Sequence, residues 1–354
     1  MNDSRPTLKD IKEQRLAGRG SPIERRATIS EDSLIKTSYL SPGRMLPLVI
    51  RPAVKGVNLV SWAKSHREFL EIQILRHGAI LLRNFDVRGV TDLQRFVKAV
   101  SQELMPYRER SSPRHEVGEN VYTSTDYPQE QTIFPHNEHS YALEVPLRLY
   151  FFCVTPAEQG GETPIADTRK VLERIDPCIR ERFARKNYMY VRNFGDGFGV
   201  PWQVAFQTTD RIAVEGYCRL NKIDFEWKDG DRLRTRQVRP ALAKHPRTGE
   251  AVWFNHATFF HVSTLDPSIS EALLYEFAEE DLPHNTYYGD GSPIDPAVLA
   301  ELREAYLQEM VSFAWQASDI ILIDNLLVSH ARNPYRGARE ILFAMSDPFV
   351  RTDL

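Results

Sequence analysis

The chain has 354 residues, a formal net charge of −3 and 42% hydrophobic residues, which is enough to build a sizeable core in one large domain. Lys and Arg (45) nearly balance Asp and Glu (48), and no basic stripe interleaves with aromatics, so nucleic acid and an anionic membrane are poor partners. The three cysteines, Cys153, Cys178 and Cys218, are odd in number and widely spaced, which argues against a disulfide framework or zinc knuckle and for a reduced, cytoplasmic setting.

In chain order, residues 1–44 read as a polar, partly disordered arm, with Gly18, Gly20, Pro22 and Pro42 between short helical patches. No apolar leader core follows the early basic residues, and no run is long enough to cross a bilayer. Residues 45–354 read as a single domain. The periodicity of Leu59, Trp62, Phe69, Ile72 and Leu75 predicts a helix over 58–76, closed by Gly78. A short apolar strand follows at 79–85, and Thr91-Asp92 caps a second helix to 104. The stretch 107–131 is loop-like, and its Arg110 and Arg114 are the first candidates for a cation that meets a carboxylate-bearing substrate.

The centre of the chain is Phe134-Pro135-His136-Asn137-Glu138-His139-Ser140-Tyr141. His136 and Glu138 are two apart, and an extended chain sends both to one face. With His330 near the C-terminus they make two imidazoles and one carboxylate, the donor set that leaves open positions on non-haem iron(II). His-x-Glu alone is a weak pattern, but Pro135 cannot continue a ladder, which places His136 at the start of a strand at a sheet edge.

A β-rich run at 148–154 leads into Gln159-Gly160-Gly161-Glu162-Thr163-Pro164, a tight turn in which the Thr163 hydroxyl can donate to a carboxylate. Asp167-Thr168 caps a helix to about 185, and strands are expected at 188–194, 202–207, 225–227, 233–238 and 251–256. Asn255 and His256 are candidates for a polar rim facing substrate; His256 and His261, five apart, fit neither a helical nor a strand pair for zinc. Helices are expected at 268–281 and 295–315, then a buried strand at 318–325 ahead of His330. Alternation finally places Arg339 on one face with Ile341, Phe343 and Met345. A cation there requires an internal carboxylate or a bound ligand, and its planar fork suits a dicarboxylic acid. A helix–strand–helix opening followed by mostly short strands predicts an α+β fold.

These residues resemble the motifs of the taurine dioxygenase superfamily of iron(II)- and 2-oxoglutarate-dependent oxygenases, which is clavaminate-synthase-like. The likeness runs from about residue 79 to 348. It implies a double-stranded β-helix (jelly-roll) core with flanking helices, a metal held by His136, Glu138 and His330, and 2-oxoglutarate held by Thr163 and Arg339, with O2 as the oxidant. The segments around His136, Gly161, Trp253 and Tyr287 are similar to a subgroup acting in nonribosomal-peptide pathways, typified by the syringomycin-pathway aspartyl β-hydroxylase. That likeness implies hydroxylation of an amino acid or its derivative, free or tethered to a peptidyl carrier protein, in natural-product biosynthesis. A homo-oligomer is compatible with it. The usual carboxylate of the superfamily is aspartate, whereas this chain has Glu138, which weakens any transfer of sulfonate or aryloxyacetate substrates. Desaturation or cyclisation from the same cofactor chemistry is one alternative outcome. A zinc hydrolase and a noncatalytic binding module are rivals from other classes, but the hydrolase leaves Arg339 and Thr163 without a shared purpose.

Overall fold

A computed structural model describes residues 34–101, 103–109, 114–195 and 200–351. Among them the largest sheet has eight strands, in the order Ile35–Ser41, Arg44–Pro52, Ala79–Leu82, Ile320–Asp324, Glu144–Thr155, Glu340–Val350, Val121–Thr123, Glu116–Gly118. Its centre pairs chain segments far apart in sequence: Ile320–Asp324 lies antiparallel to both Ala79–Leu82 and Glu144–Thr155. A three-stranded sheet sets Val328–Arg332 between Ile133–His136 and Ile165–Asp167. One hydrophobic cluster joins the two sheets, with Phe151, Ile321, Ile323, Phe343 and Met345 from the larger and Ile165 and Val328 from the smaller. A four-stranded sheet, Asp224–Lys228, Arg232–Arg239, Tyr188–Phe194, His284–Tyr288, completes the main layers. The architecture is thus mixed helix and sheet, as the sequence predicts.

Local signals explain most elements. Asn58 Oδ1 accepts from Ser61 N at 2.9 Å to start the first helix, and Gly78 ends the second with φ +76, where a Cβ would stand 2.5 Å from Val328 Cγ2. Asp167 caps its helix as expected, with Val171, Leu172, Ile175 and Ile179 buried. Several expectations are corrected. The helix at 58–76 is two helices, Leu59–Ser65 and Arg67–His77, divided at His66, and the one at 168–185 is divided by Pro177. Residues 202–207 form no strand: Trp202–Ala205 is a helical turn entered from Pro201, with Trp202 and Ala205 buried at helical spacing. Strand 251–256 is Ala251–Trp253, and beyond it the Asn255 Oδ1 accepts from Ala257 N at 2.9 Å. The helix at 295–315 is Pro296–Glu309, and that at 268–281 is Pro267–Glu276. The arm boundary expected at 44 falls within a strand hairpin, since Ile35–Ser41 pairs with Arg44–Pro52; residues 1–33 lie outside those described.

Candidate metal centre and its two cavities

The three-stranded sheet brings the expected metal donors together. His136 ends its strand, where Pro135 had been expected to set it at a strand's start, directly opposite His330, and ring centroids of the two imidazoles are 4.4 Å apart. Pro135 is tolerated because Ile133–His136 is the edge strand. Glu138 follows in the turn, its Oε2 3.9 Å from His330 Nε2, and donor atoms of the three residues all lie within 4.8 Å of one another. His136 Nδ1 meets the Phe134 carbonyl at 2.9 Å, which leaves Nε2 as the bare lone pair.

Electrostatics favour metal-binding protonation states. Burial holds His136 and His330 below the usual histidine range, so both imidazoles are neutral donors at pH 7. Burial alone would raise the Glu138 carboxyl, but Arg114 above all, with His139 and His136, draws it below its ordinary value. Arg114 Nη2 donates to Glu138 Oε2 at 2.9 Å, and its guanidinium lies over the rings of Phe343 (4.1 Å) and Tyr107 (4.8 Å). Two neutral imidazoles and one carboxylate fit a divalent iron better than a soft, thiolate-preferring metal.

The site opens on two cavities. The larger, about 430 Å³, is lined by His136, Glu138, Arg114, His256, Phe259 and the loop from Thr125 to Phe134. The smaller, about 30 Å³, is lined by His136, His330, Arg114, Thr163, Arg332 and Arg339. In it Arg339 Nε donates to Gly161 O at 2.9 Å, and a Cβ on Gly161 (φ +71) would crowd Arg339 Cδ and Nε at 3.0 Å. The glycine is therefore what lets the guanidinium lie against the turn. Trp315 Nε1 donates to Thr163 Oγ1 at 3.1 Å, so the hydroxyl proton stays free to be given elsewhere. Burial, then the like charge of Arg332, pushes Arg339 down to about 10. Ile341, Phe343 and Met345 are buried in the core as alternation predicts, with a bulge between Glu340 and Ile341 setting Arg339 at the cavity.

A family model described as "Taurine catabolism dioxygenase TauD, TfdA family" matches residues 40–345. The chain belongs to this family. It is 38% identical over 311 residues to the dapdiamide synthesis protein DdaC of Enterobacter agglomerans, covering 84% of this chain and 94% of DdaC. It is 27% identical to a clavaminate synthase-like protein of Arabidopsis thaliana, covering 86% of this chain and 91% of that protein. Among solved structures, PvcB of Pseudomonas aeruginosa, described as an Fe, alpha-ketoglutarate dependent oxygenase, aligns with TM-score 0.52 at 18% identity over 90% of this chain and 93% of PvcB. AAD-2, solved with Mn(II) and N-oxalylglycine, aligns with TM-score 0.51 at 12% identity over 88% of this chain and 96% of AAD-2. Such identities show a shared fold. This TauD/TfdA-family protein is thus an iron(II)- and 2-oxoglutarate-dependent dioxygenase, as the resemblance implied.

The remaining expected site residues divide. Arg114 faces both cavities, and His256 lines the larger one, buried rather than on a rim, with Nδ1 against Ser140 Oγ. Asn255 is absent from the lining: its Nδ2 donates to Ala241 O at 2.8 Å and its Oδ1 accepts from Ala257 N at 2.9 Å, so its amide is spent on the backbone. Arg110 lies outside the described residues. Sequence reasoning missed Asn325, Trp315 and Arg332, whose roles come from contacts across the fold. No helix among the described residues is long and apolar enough to cross a membrane.

Proposed function

We propose that this enzyme hydroxylates an unactivated C–H bond of an amino acid or amino-acid-derived substrate in natural-product biosynthesis. In this reading His136, Glu138 and His330 hold iron(II), while Arg339 and Thr163 hold the far carboxylate of 2-oxoglutarate. The observation that carries it is the convergence of three metal-type donors within 4.8 Å at the junction of two cavities, the smaller ending on Arg339 and Thr163. Iron(II) with the keto acid and dioxygen supplies the oxidising power that C–H cleavage needs. The chain's own residues bind and orient. Arg339 meets a carboxylate with charge-assisted hydrogen bonds, and Thr163 adds a neutral one. Arg114 fixes the Glu138 carboxylate and offers a cation to a carboxylate of the substrate, with His256 beside it in the larger cavity.

Support for the substrate class comes from DdaC, a protein of dapdiamide synthesis, together with the likeness to peptide-tailoring hydroxylases. The two facing sheets support a jelly-roll core in a single oxygenase domain. A carrier-tethered substrate, a homo-oligomeric state and a cytoplasmic setting belong to the same proposal.

The test is an oxygen-free titration with iron(II) and 2-oxoglutarate, then a mass-spectrometric screen of free and carrier-tethered amino acids with dioxygen. A product one oxygen atom heavier, formed only with iron and keto acid, is expected. Turnover with zinc and without keto acid would overturn the reading.

A further inference from the structure

The guanidinium of Arg332 belongs to both halves of the site. It lines the smaller cavity with Arg339, Thr163 and His330. It follows His330 by two positions on strand Val328–Arg332, across an irregularity in the pairing with Ile133–His136, and both side chains line the small cavity. Its Nη1 donates to Tyr127 O at 2.9 Å, and its Nη2 donates to Pro128 O and, at 2.9 Å, to Gln131 O. Those carbonyls belong to the segment that walls the larger cavity through Thr125, Tyr127, Glu130, Gln131 and Thr132. The cation also packs against the rings of Tyr127 and Tyr335, at 5.7 and 5.3 Å.

Charge makes this tie conditional. Among the described residues no carboxylate forms an ion pair with Arg332 or Arg339; both line the same small cavity, and Arg339 lies in the field of Arg332, offset in part by Glu162. Like charges in a poorly solvated site repel strongly, and an anion placed on one relieves the other. The three carbonyls satisfy hydrogen bonds of Arg332 without full negative charge, and Glu130 of the same segment adds a carboxylate field without an ion pair.

We propose that Arg332 is a positioning residue that couples the occupancy of the small cavity to the wall of the large one: a carboxylate seated on Arg339 strengthens the hold of Arg332 on residues 125–132. The inference rests on the reading of Arg339 and Thr163 as the keto-acid subsite. Coupling of this kind is reciprocal, so a substrate that settles the wall also tightens keto-acid binding.

The experiment is hydrogen exchange of the full chain, oxygen-free with manganese(II), with and without 2-oxoglutarate, whose binding is followed separately by calorimetry. Exchange of the 125–132 amides in the unaltered protein is expected to slow by roughly fivefold or more when the keto acid is added. In Arg332→Gln that response is expected to vanish while manganese still binds, and in Arg332→Lys to persist in part. Keto-acid binding without any slowing in the unaltered protein overturns the inference, whether or not a variant folds. So does a response retained in Arg332→Gln against a uniformly faster baseline, which is what a merely structural tie produces. If calorimetry finds no keto-acid binding at all, the subsite reading fails, and this inference with it.

Discussion

Asn325 holds the backbone of Glu138 from both sides: its Oδ1 accepts from Glu138 N at 2.8 Å, and its Nδ2 donates to Glu138 O at 2.9 Å. The same Nδ2 donates to Pro146 O at 2.9 Å, while the Asn325 carbonyl accepts from Asn137 Nδ2 at 2.6 Å. Asn325 lies between Ile320–Asp324 and the His330 strand, so one amide joins the carboxylate turn to the segment bearing the distal histidine. Asn325→Ala is expected to weaken iron binding about 10–100-fold, as loss of a residue orienting a ligand does. Anaerobic iron(II) titration of the folded variant checks this; wild-type affinity would remove Asn325 from the site.

His136→Ala is expected to abolish keto-acid-coupled turnover, because each ligand supplies a large share of the metal affinity. Equilibrium dialysis against iron(II) and oxygen-uptake measurements decide it. A folded variant that binds iron and turns over normally would make His136 structural.

Arg339→Ala is expected to leave iron bound and to raise the 2-oxoglutarate requirement. The lost charge-assisted contact corresponds to about 1.5–3 kcal/mol, or roughly 10–100-fold in KM for the keto acid. Keto-acid affinity unchanged in a folded variant would show that Arg339 serves packing alone.

Asp324 gives stability a pH dependence. Burial pushes its carboxyl up, but Arg148 Nη1 in contact with it and His245 Nε2 at 3.1 Å bring it below the ordinary range. A carboxylate with a depressed folded pKa contributes fully above its unfolded value, near 3.9, and loses that contribution as pH falls through the lower folded value. Asp324→Asn is expected to cost about 3–5 kcal/mol at pH 7, the cost of breaking a buried ion pair. Denaturant melts at pH 7 and at acid pH test the sign: the gap between variant and wild type narrows in acid. A gap independent of pH would show that the Asp324 charge is not what matters.

The reaction is expected to end in hydroxylation and not halogenation. In the superfamily that the sequence resembles, halogenating members carry a small residue in place of the metal carboxylate to admit a halide, and in the proposed site Glu138 would occupy that position. With chloride or bromide, labelled dioxygen, iron(II), 2-oxoglutarate and an accepted substrate, the product mass is expected to show one labelled oxygen. Halogen in the product of the unmodified enzyme would overturn the role given to Glu138.

The sequence by itself singled out the candidate metal and keto-acid residues and predicted a mixed helix-and-sheet fold. His136 and Glu138 stand two apart in one short motif behind Pro135, and the Gly160-Gly161 turn, Thr163 and Arg339 follow in family order, all of it local pattern that needs no tertiary information; that the strand ends at His136 and Glu138 lies in the turn after it was not legible there. Boundaries were less legible where local signals compete: the short apolar run at 202–207 suits strand or helical turn alike, and burial of Trp202 and Ala205 on one side decides for the turn. Only the tertiary structure decided what lies between the motifs. Asn325 and Arg332 act through hydrogen bonds to backbone carbonyls and amides of distant segments, and a backbone partner leaves no mark on the sequence that supplies it. The same holds for Asn255, which reads as a polar site residue yet spends its amide on the carbonyl of Ala241 and the N–H of Ala257, because a buried amide must satisfy its donors and acceptors with whatever the fold brings nearest.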